Sequence, residues 1–271
     1  MKRLKLKKWV KITLPILFFC VFAFSAYKLI LYIIDTNKIK ETTEEIKTVD
    51  PSTVEGTDNS ELVNPPSDKD NDYWNFINTP YIDVDFEELL SKNSDTVAWL
   101  KVENTNINYP IVQTKDNNYY LKKAFDKSYN GAGWLFMDYR NDSKNFGTNT
   151  IIYGHSMLNT TMFGTLLKTK KASWYENKDN WVIKLSTPNE YTLWQVFSIY
   201  STEAENYYIK TEFNGEKSIE EFLDTILTRS IYNFNTDLIS SDKILTLSTC
   251  TSTGEDGRYV LHAKLIKREI K

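Results

Sequence analysis

A mainly β domain, an antiparallel barrel or sandwich of short strands behind an N-terminal apolar helix, is the architecture the sequence predicts. Eight runs rich in β-branched and aromatic residues recur from residue 97 onward, at 97–102, 107–113, 133–137, 150–153, 181–186, 190–200, 243–249 and 258–266. Asn, Asp and Gly punctuate them, and these residues tolerate the turns between strands. The third observation concerns the start of the chain. Residues 12–34 are apolar except for Thr13, Ser25, Lys28 and a few tyrosines, and six cations with no acid lie within residues 1–11.

Residues 12–34 would rise about 34 Å as a helix, enough to cross a hydrocarbon core of about 30 Å. Lys28 can snorkel, and Tyr27 and Tyr32 suit the interface. The basic cluster at 1–11 predicts a cytoplasmic N-terminus and an extracellular remainder. A cleaved secretory signal is the alternative, but the apolar run is long for one and no clear Ala-x-Ala site precedes Asp35. Cys20 is not a lipoprotein cysteine, because Phe18 and Phe19 occupy positions that need small residues. Residues 35–72 carry eleven acids against four lysines and almost no large apolar side chain. That composition predicts a flexible acidic stalk. The folded domain is expected over 73–271.

With 41% hydrophobic residues the chain is globular in composition, and its net charge of −3 argues against a nucleic-acid partner. Asp85 followed by Glu88 predicts the N-terminus of a short helix. A second such signature, Ser218 with Glu221, opens a helix whose Ile219, Phe222, Leu223 and Ile226 follow i, i+3, i+4, i+7 spacing. That stripe is read as core packing.

With Cys20 in the apolar run, Cys250 is the only thiol of the exported part and has no intramolecular disulfide partner. It is therefore either buried and inert or reactive. In the strand 243–249, alternation puts Ile244, Thr246, Ser248 and Cys250 on one face. Cys250 thus ends the more polar face beside a turn-like 251–257 segment, where a thiol is accessible. A hairpin closing over that segment sets Arg258 across from Cys250. There a guanidinium can lower a thiol pKa and donate to an oxyanion, or it can simply pair with Glu255 or Asp256. Of the two histidines, His155 follows an apolar strand and a glycine and precedes a polar loop, which suits a catalytic base. His262 lies about 13 Å further along the strand that Arg258 opens, which suits a structural role.

The segment Thr246-Leu-Ser-Thr-Cys250 with Arg258 on the next strand resembles the sortase signature, and Tyr153-Gly-His155 resembles the histidine motif of that family. Ser248, the helical segment before the first strand and the helix after 218 resemble class B members, as do the stretches 136–141 and 108–113. The resemblance covers roughly 85–267. It implies a closed eight-stranded β-barrel with an N-terminal helical extension and one inserted helix before the nucleophile strand. It further implies a cysteine transpeptidase that cleaves a C-terminal sorting signal after Thr or Ser and passes the acyl group to a peptidoglycan or lipid-linked amine. Cys250 would be the nucleophile, His155 the proton carrier and Arg258 the oxyanion donor. Ser248, Tyr208, Ile209, Asn117 and Leu121 match substrate contacts, although Leu121 and Ile209 can equally be core. Thr251 stands where some relatives carry an acid. No cofactor or metal is expected, since no acidic cluster has calcium-loop spacing. A papain-like cell-wall peptidase and a non-catalytic surface binding barrel are the competing readings.

Overall fold

The structure is a computed structural model that describes residues 7–46, 49, 51–250 and 257–271; the side chain of Cys250, the segment 251–256 with Thr251, Glu255 and Asp256, and the cations at 2, 3 and 5 lie outside it. In chain order it contains α1 (Lys8–Ile46), β1 (Ser52–Val54), β2 (Glu61–Leu62), α2 (Tyr73–Phe76), β3 (Tyr81–Asp83) and α3 (Phe86–Lys92). There follow β4 (Thr96–Val102), β5 (Asn108–Val112), β6 (Phe136–Met137), β7 (Asn149–Gly154), α4 (Ala172–Tyr175) and β8 (Val182–Ser186). The chain ends with β9 (Glu190–Glu203), α5 (Glu216–Thr228), β10 (Ile244–Cys250) and β11 (Gly257–Ile270).

The eight strand runs of the sequence become the eight staves of a closed barrel, in the order β10-β7-β6-β5-β4-β8-β9-β11, and a β10–β11 pairing closes the ring. The barrel is mixed, not antiparallel throughout. β10 runs parallel to β7, and β5 parallel to β6. Alternation reports which face a residue occupies but not the direction of the neighbouring strand. Long connections such as 155–243 permit the crossover that parallel pairing needs. The shortest stave is β6, two residues of the expected five. Before it, Gly133 adopts φ +60, and a Cβ there would lie 2.4 Å from the Tyr120 carbonyl oxygen. The chain is committed to that turn and cannot extend the strand.

Strand parity accounts for how β10 is buried on both faces. Leu245 and Leu247 enter the main core with Leu100, Ile111, Ile152, Leu185 and Leu261. Ile244 belongs to a second cluster outside the barrel, where Phe197, Val260, Phe222, Leu223 and Ile226 meet under α5. Ile219 packs at its edge, so the helical stripe is core as expected. α5 begins two residues before Ser218, however, with Gly215 as its N-cap at φ +79. A glycine at positive φ turns the chain into the helix without a capping side chain. At α3 the expected cap is present: Asp85 Oδ1 accepts from the Glu88 amide at 2.9 Å, and Glu88 pairs with Lys92 at 2.7 Å.

The acidic stretch 35–72 differs from the expected flexible stalk. α1 continues to Ile46, with Ile39, Thr42 and Ile46 buried. β1 pairs with β3, and β2 pairs with β11 on the outside of the barrel. The Glu269 carboxylate accepts from the Thr57 amide at 2.9 Å, the Thr57 hydroxyl at 2.8 Å and the Ser60 hydroxyl at 2.5 Å. Composition measures only how much apolar area a segment can bury. Here backbone pairing to a strand and hydrogen bonds to one carboxylate supply the order instead.

Candidate active site

The ends of three adjacent strands converge at one rim of the barrel. Cys250 closes β10 and is paired with Arg258, the second residue of β11. On the other side of β10, Thr249 is in register with Gly154, the last residue of β7. His155 is one residue past Gly154, as Cys250 is one residue past Thr249. Alternation in the sequence led to Arg258; the parallel β10–β7 pairing adds His155, which sequence spacing alone could not bring there.

These ends open into a cleft of about 270 Å³, walled by the segments 117–121 and 204–209 and floored by Phe136, Tyr153 and Gly154. His155, Arg258, Ser248, Tyr208, Ile209, Asn117 and Leu121 all line it. His155 is half-buried, and its Nε2 lies 3.1 Å from the Leu121 carbonyl oxygen. Arg258 is also half-buried and donates from Nη1 to the Gly257 carbonyl at 2.9 Å. The Ser248 hydroxyl lies 3.3 Å from that of Tyr208.

Gly154 is required for close approach. A Cβ there would lie 2.2 Å from Leu135 Cδ2 and within 3 Å of two Phe163 ring atoms. The glycine lets β7 pass under both side chains, so that His155 emerges at the rim.

His262 has a different setting. It is fully buried, with Nδ1 2.8 Å from the Thr246 hydroxyl and Nε2 2.9 Å from the Tyr200 hydroxyl. Burial disfavours its charged form and pushes its pKa down to about 3. It is the structural histidine the sequence predicted.

A family model for the sortase domain matches residues 100–266. Sortase B of Staphylococcus aureus is 38% identical over 185 residues, which are 67% of this chain and 75% of the relative. The chain belongs to the sortase B family. It is thus a cysteine transpeptidase of the sortase B type, with an apolar N-terminal helix. Sortase B of Listeria monocytogenes is 37% identical over 190 residues, 68% of this chain and 75% of the relative. A Bacillus anthracis structure similar to sortase B superposes with a TM-score of 0.68 at 33% identity, over 86% of this chain and 98% of that one. Other solved structures similar to this chain are a Staphylococcus aureus sortase B–substrate complex and a sortase B complexed with triglycine.

The residue that ties the cleft together lies in the stretch 136–141 that carries part of the family resemblance, but no local pattern assigned it a role. Asp138 is wholly buried, and its carboxylate accepts from Arg140 Nε at 2.8 Å, Arg140 Nη2 at 2.7 Å, Tyr153 Oη at 2.9 Å and Asn117 Nδ2 at 3.0 Å. Arg140 also donates to the Ile209 carbonyl at 3.0 Å. One carboxylate thus joins the floor (Tyr153), one wall (Asn117) and, through Arg140, the other wall (Ile209). Burial pushes the Asp138 pKa up, but the hydrogen bonds from Arg140 and Tyr153 outweigh it and leave the carboxyl below its ordinary value. Arg140 is raised by the same contact, and Tyr153 is raised mainly by burial. A second link runs behind the cleft. Asn149 Nδ2 donates to the carbonyls of Tyr208 at 3.0 Å and Lys210 at 2.9 Å, and its Oδ1 accepts from Thr246 at 2.6 Å. By local pattern Asp138 and Asn149 look like ordinary strand-flanking polar residues, and their burial reveals what they join. Among the described residues, no group of three or more His, Cys, Asp or Glu is placed to hold a metal ion.

Proposed function

We propose that the protein is anchored in the cell membrane by residues 12–34, N-terminus inside and barrel outside, and joins a secreted protein to an amine of peptidoglycan or its lipid-linked precursor. The Cys250 thiolate attacks the carbonyl of the Thr (or Ser) in a C-terminal sorting signal. The tetrahedral oxyanion collapses to a thioester as the leaving amine takes a proton from His155. An incoming amine then attacks the thioester and gives its proton back to His155, and cleavage of the C–S bond restores the thiolate. One amide replaces another, so no external energy source is needed. Arg258 donates to the oxyanion in both steps.

The observation that carries this reading is that Arg258, paired with Cys250 on β11, and His155, one residue past the end of β7 beside β10, line the same cleft. The five further residues Asn117, Leu121, Tyr208, Ile209 and Ser248 are assigned to the sorting peptide because they line the same cleft. The apolar lining residues Leu121, Ile209 and Phe136 suit a peptide with an aliphatic or proline residue, and Asn117 and Ser248 offer polar contacts. The substrate and triglycine complexes are those of relatives, and they agree with a peptide donor and an amine acceptor.

The test is to profile cleavage over a library of sorting pentapeptides, with and without triglycine. A ligated product that forms only with the amine supports transfer. Cleavage that is indifferent to triglycine and yields only the free acid would replace the proposal with a hydrolytic peptidase.

A further inference from the structure

The helix that carries the apolar run does not end with it. α1 continues without a break to Ile46, although the apolar residues stop at 34. From Asp35 onward it is fastened to the barrel. Asp35 Oδ2 accepts from the Gly131 amide at 3.0 Å, and the Asp35 carbonyl accepts from Asn130 Nδ2 at 2.9 Å. Lys38 lies 3.9 Å from Asp126, and Lys92 donates to the Glu45 carbonyl at 3.4 Å. Ile39, Thr42 and Ile46 are buried between these polar contacts. Fastened at both ends of 35–46, the helix is a strut and not a tether. The depth of the apolar run then sets the height of the barrel.

From this geometry we infer that the segment 119–131 is a membrane-contacting surface, held against the anionic headgroups of the bilayer that α1 crosses. The inference rests on the reading of 12–34 as the membrane span. Asn130 and Gly131 touch the first polar residue past the apolar run, the level of the headgroup layer. The segment has the composition of an interface. Tyr119 and Tyr129 are 38% and 64% exposed, and tyrosine favours the boundary between hydrocarbon and water. Residues 119–131 contain three lysines against one acid, Asp126. Lys127 is paired with Asp95 at 2.9 Å and Asp126 faces Lys38; among the described residues Lys122, exposed, and Lys123, half-buried, have no ion-pair partner. Lys123 bridges to Tyr129 along the backbone, and its Nζ sits 6.0 Å from the Tyr119 ring, so the basic and aromatic side chains form one patch. Each lysine close to an anionic leaflet adds to binding.

The same segment is a wall of the cleft. The Asn130 amide donates to the Lys122 carbonyl at 3.0 Å, and the preceding carbonyl, that of Leu121, lies 3.1 Å from His155 Nε2. Two hydrogen-bonded steps separate the residue that meets Asp35 from the histidine of the cleft. The cleft therefore opens beside the bilayer, where an acceptor carried on a lipid would arrive without leaving the membrane.

Nitroxide labels test this on the full chain in vesicles of phosphatidylglycerol and phosphatidylcholine. Single cysteines Phe22→Cys, Lys122→Cys and Tyr129→Cys are introduced in a Cys20→Ser, Cys250→Ser background. The readout is collision with oxygen relative to a water-soluble nickel chelate. The expected result is a label at 22 in hydrocarbon, with labels at 122 and 129 both at headgroup depth, their ratio raised several-fold over a free aqueous nitroxide. A label at 22 in hydrocarbon with those at 122 and 129 in bulk water overturns the contact surface and leaves the span standing. A label at 22 in water overturns both. The site at 122 guards against a fold disturbed by replacing Tyr129.

Discussion

The two histidines flank the same strand and live in opposite chemistry. His262 sits opposite Thr246 in the middle of the β10–β11 ladder, wholly buried, with both ring nitrogens engaged by hydroxyls. His155 sits past the end of β7, half-buried and lining the cleft, with Nε2 against the Leu121 carbonyl. A ring held neutral at pH 7 by burial and spoken for on both sides cannot carry a proton in and out. Distance along a strand, more than residue type, separates structure from chemistry here.

The largest effect expected is at Cys250. Cys250→Ala should abolish cleavage of a sorting peptide with the thermal midpoint unchanged, and retained cleavage would remove the rim from the mechanism altogether. Next come its two neighbours. His155→Ala and Arg258→Ala should each lower kcat/KM by about 10²–10⁴ through lost proton transfer or oxyanion stabilisation. An equal loss in His262→Gln would erase the distinction between the histidines.

Asp138→Asn sharpens the comparison from the cleft side. Losing the charge that gathers Arg140, Tyr153 and Asn117 should loosen both walls and cost about 10- to 100-fold in kcat/KM. It should also cost about 1–3 kcal/mol of stability, read in urea. Because the folded pKa of Asp138 lies below its ordinary value, its contribution is complete above about pH 4 and is lost as pH falls through the folded value. The stabilities of the wild type and the Asp138→Asn variant should therefore converge in acid; a constant gap would mean that the charge is immaterial.

The smallest effect on rate is predicted for His262→Gln, which should leave peptide cleavage at neutral pH nearly intact. Its cost falls on stability, about 1–3 kcal/mol, because the Thr246 and Tyr200 hydroxyls lose well-placed partners. The unfolded ring takes up a proton near pH 6.5, but the folded one only near pH 3. The stability from keeping it neutral is thus full above about pH 6.5 and is lost progressively as pH falls toward 3. The urea midpoint of the wild type should fall across that window, and that of the His262→Gln variant should fall less steeply.

Much of this was legible in the sequence. All eight barrel strands, the stripe of α5, the Asp85 cap and the Cys250–Arg258 pairing follow from alternation, capping chemistry and the short spacing between β10 and β11. What failed did so for identifiable reasons. By apolar content residues 35–72 look unable to fold, but Glu269 and the edge of β11 hold 57–62 through hydrogen bonds. Ser218 looks like an N-cap because it has the right neighbour at 221, but the conformation of Gly215 starts the helix earlier.

The sequence by itself determined which faces of each strand are apolar, which thiol stands alone beyond the apolar run, and which residues lie within a few positions of it. Those are local properties, fixed by the two-residue repeat of a strand and the reach of a short connection. Only the tertiary structure decided that β7 lies parallel to β10, so that the end of β7, with His155 next, lies beside the end of β10 from a distant part of the chain. It also decided that Asp138 gathers both walls of the cleft, and that the helix after the apolar run is fastened to the barrel. Each of these is a contact between segments distant in sequence. It forms only when closure of the barrel has already overcome the entropy of bringing them together, and no local pattern records that.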